Sequence, residues 1–97
     1  MPKQKRGTRH WRVYILRCRD GSLYTGITND LPKRMRAHRD GTGSHYVRSR
    51  LPVELVYCES AAGRRAALHR ELEVKRMTRR QKLILINKNS LKWSKKV

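Results

Sequence analysis

The apolar positions change their spacing along the chain, from strand-like runs to helical periodicity and back. Trp11 to Arg19 (WRVYILRCR) is rich in β-branched and aromatic residues, and its centre is apolar at consecutive positions. Both alternating faces therefore carry apolar side chains, which suits a strand covered on both sides. Asp20-Gly21-Ser22 supplies turn chemistry, and Leu23 to Thr28 (LYTGIT) reads as a second strand closing a hairpin. Asn29 and Asp30 are helix N-cap candidates, and Pro32 suits a first helical turn. The helix they open, Leu31 to His38, is expected to stop near Asp40-Gly41.

Gly41 to Pro52 (GTGSHYVRSRLP) reads as a polar loop, and Val53 to Glu59 (VELVYCE) alternates as a third strand. Ala61 to Met77 is built of good helix formers, with Leu68 and Leu72 one turn apart. Thr78 can cap a last helix over Arg79 to Asn87, with Leu83, Ile84 and Ile86 facing inward. The order is ββαβαα, an α+β domain with a small three-stranded antiparallel sheet flanked by helices. The expected core is Val13, Ile15, Leu16, Ile27, Leu31, Met35, Leu55, Val56, Leu68, Leu72, Leu83 and Ile84.

Hairpin register decides which side chains share a face. A two-residue loop at Asp20-Gly21 puts Tyr14 and Tyr24 on opposite faces of the sheet. A three-residue loop is expected to pair Cys18 with Tyr24 and to put Tyr14, Tyr24 and Gly26 on one face. Only the second arrangement can build a shared site, and Gly26 in mid-strand then allows a close approach to the backbone.

Length limits the chain of 97 residues to one domain with one small core. Residues 1–10 (MPKQKRGTRH) read as a flexible basic arm, residues 11–87 as the domain, and residues 88–97 as a basic tail. Trp93 in that tail reads as exposed or packed back on the last helix, with stacking on a base as the alternative.

Charge changes the picture most. Lys and Arg number 25 against 7 Asp and Glu, a formal charge of +18. Such an excess costs self-repulsion in the folded state and makes sense beside a polyanion, of which nucleic acid is the commonest. A membrane surface is the rival partner. The chain carries no lipidation signal, signal peptide or apolar run long enough to span a bilayer, so no membrane role and a cytoplasmic location are expected. Cys18 and Cys58 lie in apolar strand runs and read as two buried thiols, without the spacing of a zinc site.

Acids are scarce: Asp20, Asp30, Asp40, Glu54, Glu59, Glu71 and Glu73. The three aspartates sit at turns and helix ends, where backbone hydrogen bonding explains them. Glu71 lies four residues from Ala67 and three from Val74, on the edge of the inward helix face. Its bland reading is a surface ion pair with Lys75 at i+4. Arg34 and His38 share one helix face, and an Arg fork suits a phosphate while a His can move protons near neutrality. The bland reading is a chance pair on a basic helix. Tyrosines in strands usually serve packing, with the hydroxyl at the rim.

Taken together, these residues resemble the GIY-YIG nuclease family. The elements run in its order: Val13-Tyr14-Ile15, then Tyr24-Thr25-Gly26, then Arg34 and His38 in PKRMRAH, then Glu71 in ALHRELEVK. The match covers roughly Trp11 to Ile86, and the loop GTGSHYVRSRLPVELVY is similar to the small stand-alone bacterial members, the UPF0213 or YhbQ-like group. Arg12, Val13 and Thr25 depart from the letters of the family name at backbone and packing positions.

The resemblance implies a Mg²⁺- or Mn²⁺-dependent endonuclease or nickase that cuts DNA with a single divalent ion. It implies that Tyr14 takes or relays the proton of the attacking water, with Tyr24 beside it. Arg34 would bind the scissile phosphate, His38 would assist proton transfer or orient the phosphate, and Glu71 would hold the metal. The surplus of positive charge is expected to favour ionisation of the phenol. Asn87 and Asn89 are candidates for the family's late Asn, and His45 reads as exposed rather than catalytic. Without a second domain, Lys33, Arg36, Arg48, Arg50 and the basic tails would hold the nucleic acid, with strong salt dependence and weak sequence selectivity. A protein partner directing cleavage and a monomeric or weakly dimeric state are the accompanying expectations. The alternative is a non-catalytic DNA- or RNA-binding protein that keeps the fold.

Overall fold

In the computed structural model, residues 10–88 are described. The basic arm over residues 1–9, Asn89 and the tail with Trp93 lie outside the described residues.

The first strand, β1 (Trp11–Arg17), is the centre of the sheet, between β2 (Leu23–Thr28) and β3 (Glu54–Ala61), in the order β2-β1-β3. Both pairings are antiparallel. Being central explains the unbroken apolar run: Val13, Tyr14, Ile15 and Leu16 are all fully buried, two towards each face.

The hairpin loop is Arg19-Asp20-Gly21. Cys18 N–H donates to the Ser22 carbonyl at 2.9 Å, and Gly21 N–H donates to the Cys18 carbonyl at 2.9 Å. Gly21 closes the turn at φ 86°, a conformation that suits a residue without Cβ. This is the three-residue loop, yet the pairing differs from the expected one. Cys18 lies opposite Ser22, Leu16 pairs with Tyr24 and Tyr14 pairs with Gly26. A two-residue shift keeps the faces, so Tyr14, Tyr24 and Gly26 do share one side.

On that side lie α1 (Leu31–Asp40) and α2 (His45–Arg48), around a core of Tyr14, Leu16 and Val47 bordered by Tyr24, Leu31, Met35 and Leu55. Asp30 caps α1 by accepting from Lys33 N–H at 3.2 Å. Gly41, at φ 82°, ends it at the expected Asp40-Gly41 stop and donates its N–H to the Ala37 and His38 carbonyls. The expected loop that follows holds the single turn α2, which Ser44 opens by accepting from Val47 N–H at 3.1 Å. Val47 is the apolar side chain that makes this turn fold inward.

The opposite core joins Ile15, Val56 and Tyr57 to Val74 of α3 (Arg64–Lys75) and Ile86 of α4 (Arg79–Lys88). A bulge between Ile15 and Leu16 places Leu55 and Tyr57 opposite consecutive residues, leaving Val56 as the extra residue. Thr78 caps α4 as expected, and reciprocally: Gln81 N–H donates to its hydroxyl at 3.1 Å while Thr78 N–H donates to Gln81 Oε1 at 2.9 Å.

Three expected core residues are not core. Leu68, Leu72 and Ile84 are exposed, at 39, 52 and 55%. On α3 the inward stripe is Ala67, Glu71 and Val74, turned away from the two leucines, because Ala67 and Val74 let the helix lie close on the sheet. On α4 Ile86 is buried and Leu83 half-buried, so Ile84 falls on the outer side. Cys18 and Cys58 are free thiols, buried and half-buried.

Candidate active site

Tyr14, Tyr24, Arg34 and His38 meet where the hairpin faces α1. The Tyr14 hydroxyl lies 2.8 Å from His38 Nε2. Arg34 Nε donates to the same hydroxyl at 3.4 Å, and the Arg34 guanidinium also donates to the Gly43 carbonyl at 3.3 Å. Tyr14 and Tyr24 each present an edge contact to the His38 ring, at centroid separations of 5.8 and 5.5 Å. Two strands therefore converge on one imidazole of α1.

Gly26 accounts for the Tyr14 ring lying on the neighbouring strand. A Cβ at Gly26 would sit 2.5 Å from the Tyr14 hydroxyl oxygen and 2.6 Å from Cζ. The ring occupies the volume that any other residue would fill.

Burial sets the protonation states. His38 has no exposed surface, and its pKa is held below the usual value by burial and then by the Arg34 charge. Tyr14 is pushed up to about 12, chiefly by burial, against the opposing hydrogen bond from Arg34. This reverses the expectation that the positive surplus favours the phenolate: the phenol loses more hydration than nearby cations return. The Tyr14 hydrogen bond and then opposing burial act on Arg34, leaving it more firmly protonated. Since Arg only donates, the Tyr14 hydroxyl accepts from Arg34 and its own proton can point at Nε2, the arrangement used below.

Glu71 stands apart from this contact network. Its side chain is only 15% exposed, and its carboxylate meets the Lys75 ammonium at 3.3 Å. Its charge reaches Tyr14, as the smallest of the influences on the phenol. The i+4 pair of the bland reading therefore exists, but on the buried stripe of α3 rather than on an open surface. Among the described residues no group of three or more His, Cys, Asp or Glu could hold a metal together. A lone, half-buried carboxylate is a poor zinc site and an adequate Mg²⁺ or Mn²⁺ donor, because such ions keep waters and take substrate oxygens.

The expected nucleic-acid contacts separate into two kinds. Lys33 and Arg36 are exposed on α1, and Lys33 and Arg34 line an open depression with Thr28, Asn29, Asp30 and Ala37. Arg48 is exposed beside His45, itself exposed as expected. Arg50 is committed elsewhere: it pairs with Asp20 at 3.0 Å and lies 3.8 Å over the Tyr46 ring. Tyr46 in turn stacks on Tyr24 at 5.9 Å. Asn87 is exposed on α4. Sequence reasoning missed Tyr46 and Gly43, both within the stretch read as loop. The G-T-G-S spacing before an aromatic was the available signal.

Residues 10–84 match the GIY-YIG catalytic domain family. The chain belongs to the GIY-YIG family. It is similar to a UPF0213 protein of Clostridium perfringens, 54% identical over 82% of this chain and 86% of that one. The UPF0213 protein YazA of Bacillus subtilis is 44% identical over 75% of this chain and 74% of its own. Among solved structures, the solution NMR structure of a UPF0213 protein from Bacillus halodurans covers 80% of this chain and 83% of that chain. It matches with a TM-score of 0.54 at 41% identity. The GIY-YIG domain is of nuclease type, which implies a nucleic-acid substrate, and its nucleases generally use a divalent metal. No described helix is long and apolar enough to cross a membrane.

Proposed function

We propose that the protein is a Mg²⁺- or Mn²⁺-assisted endonuclease or nickase that hydrolyses phosphodiester bonds of DNA. The observation that carries this reading is the Tyr14 hydroxyl, held between a buried imidazole and a guanidinium. A packing tyrosine needs one partner; this one has a proton acceptor on one side and a phosphate-type donor on the other.

The attacking water gives its proton to the Tyr14 oxygen as the Tyr14 proton passes to His38 Nε2. The water oxygen bonds to phosphorus as the bond to the leaving oxygen breaks, and solvent reprotonates the leaving oxygen. A relay suits the protonation states: the phenol stays neutral and the imidazole is free to accept. Arg34 donates to the non-bridging oxygens, opposite the charge that builds on them. Tyr24 packs on the imidazole and keeps its ring plane. Glu71 would hold the divalent ion, with Lys75 displaced to solvent. When bound, the ion supplies positive charge to the leaving side of the phosphodiester. The exposed Lys33, Arg36 and Arg48, with the surplus of +18, supply salt-sensitive affinity for the backbone.

The test is cleavage of supercoiled, single-stranded and branched DNA with Mg²⁺, with binding measured in parallel. Tyr14→Phe is expected to slow cleavage by roughly 10²–10⁴-fold and Glu71→Ala to abolish the metal dependence, both with binding retained. Tight binding without metal-dependent cleavage of any of these would replace this reading with the non-catalytic binder.

A further inference from the structure

The segment between α1 and α2 is four residues, Gly41 to Ser44, and both ends are fixed. Gly41 and Thr42 donate their N–H groups to the His38 and Ala37 carbonyls at 3.1 and 2.9 Å, and Ser44 caps α2. Gly43 is thereby pressed on the His38 ring. A Cβ at Gly43 would lie 2.6 Å from Nδ1, 3.0 Å from Cε1 and 3.1 Å from Cγ, all atoms of a ring with no exposed surface. The ring cannot retreat, because Tyr14 and Tyr24 close its other sides. His38 Nδ1 has no hydrogen-bond partner, so no polar contact keeps the imidazole in register from behind. Contact with the Gly43 backbone does that instead. Gly43 lies outside the positive-φ region, so its backbone would accept alanine and only the imbedded ring forbids it.

We propose that Gly43 is a positioning residue for the Tyr14–His38 pair. The missing Cβ sets the depth at which Nε2 meets the Tyr14 hydroxyl, and the Gly43 carbonyl holds the Arg34 guanidinium against the same hydroxyl. One backbone unit thus fixes both partners of the tyrosine. The functional part rests on the relay proposed above; the geometric part does not.

The experiment is a cycle of Gly43→Ala, His38→Ala and the double variant. It is read by thermal melting, by DNA cleavage, and by ¹⁵N shifts of the His38 imidazole through a pH titration. Gly43→Ala is expected to lower the melting temperature, to move the imidazole shifts and titration, and to slow cleavage by about 100-fold, the scale of a small misplacement. In the His38→Ala background the new methyl enters vacated space, so Gly43→Ala adds no loss. A Gly43→Ala protein that fails to fold while the double variant folds supports the proposal equally. Full additivity of the two losses, failure of both to fold, or a Gly43→Ala imidazole spectrum identical to wild type overturns it. If the wild type cleaves nothing, the nuclease reading falls, while melting and imidazole spectra still decide the role of Gly43.

Discussion

Glu59 receives three donors, and its removal should loosen α3. The Tyr57 hydroxyl donates to Glu59 Oε1, and Arg70 forks onto both oxygens at 2.9 and 3.2 Å. Arg70 also reaches Glu73 at 3.0 Å. Apolar burial holds α3 only weakly, since Ala67 and Val74 are its only fully buried side chains. Glu59→Ala would leave the hydroxyl of Tyr57, a residue 3% exposed, without its acceptor. A buried donor left unpaired costs about 1–3 kcal/mol, and a half-exposed fork adds up to about 1 kcal/mol. At about 4–8 °C per kcal/mol for a domain of this size, a loss of about 2 kcal/mol lowers the melting temperature by about 8–16 °C. Glu59→Gln keeps one acceptor and the shape, and should recover about half of that. Thermal and urea denaturation followed by circular dichroism read the effect. Glu59→Ala melting within about 2 °C of wild type would refute the brace. So would Glu59→Gln being the worse of the two. Glu71 follows Arg70 directly, so the same variants should raise the Mg²⁺ concentration that half-saturates cleavage.

Gly26→Ala should destabilise by about 1–3 kcal/mol in chemical denaturation, although alanine is the better strand residue, because its Cβ meets the Tyr14 ring. A neutral or stabilising Gly26→Ala would mean that the ring is free to move. The depressed pKa of His38 makes the unfolded chain bind more protons below about pH 6.5, so stability and cleavage should both fall as pH drops through that range. His38→Ala should flatten the acid limb of the melting profile. Tyr14 and Tyr57, each raised to about 12, hold protons that the unfolded chain loses near about pH 10. Melting temperature should therefore decline above about pH 10, less steeply in Tyr14→Phe. Lys75→Met should lower the half-saturating Mg²⁺ concentration by about two- to fivefold, the range of a weak ion pair. Direct Mn²⁺ binding by paramagnetic resonance checks that without relying on cleavage.

The elements were legible because each carries a local signal. Asp30 with Pro32, Gly41 and Thr78 mark their helix ends in the structure as in the sequence. The four-residue apolar run of β1 announces a strand covered on both faces. Side-chain facing was less legible. Leu68 and Leu72 make the stronger apolar spacing on α3, yet the helix turns its small residues to the sheet. Close approach there outweighs the area of two leucines, which periodicity alone does not weigh. The site residues could be named from their order, but the Tyr14–His38 contact depends on hairpin pairing and on the α1–α2 connection. Gly43 and Tyr46 were hidden because a stretch without periodicity offers no face to read.

The partners of five of the seven acids set Glu71 apart from the other four. Asp30 caps α1, Asp20 ties the hairpin loop to Arg50, and Glu59 and Glu73 both serve Arg70. The first three of these carboxylates each cap an element or tie two together, and Glu73 supports the arginine that makes the tie to Glu59. Glu71 is different. Its partner is Lys75, a flexible cation 51% exposed and one turn along the same helix, which fastens no second element to the fold. Nor does α3 need a carboxylate on its inward stripe, where Ala67 and Val74 already set the approach. An ion pair with a solvent-facing lysine contributes little to stability. The position is thus weakly justified by the fold alone, which is what the divalent-ion role proposed for Glu71 predicts.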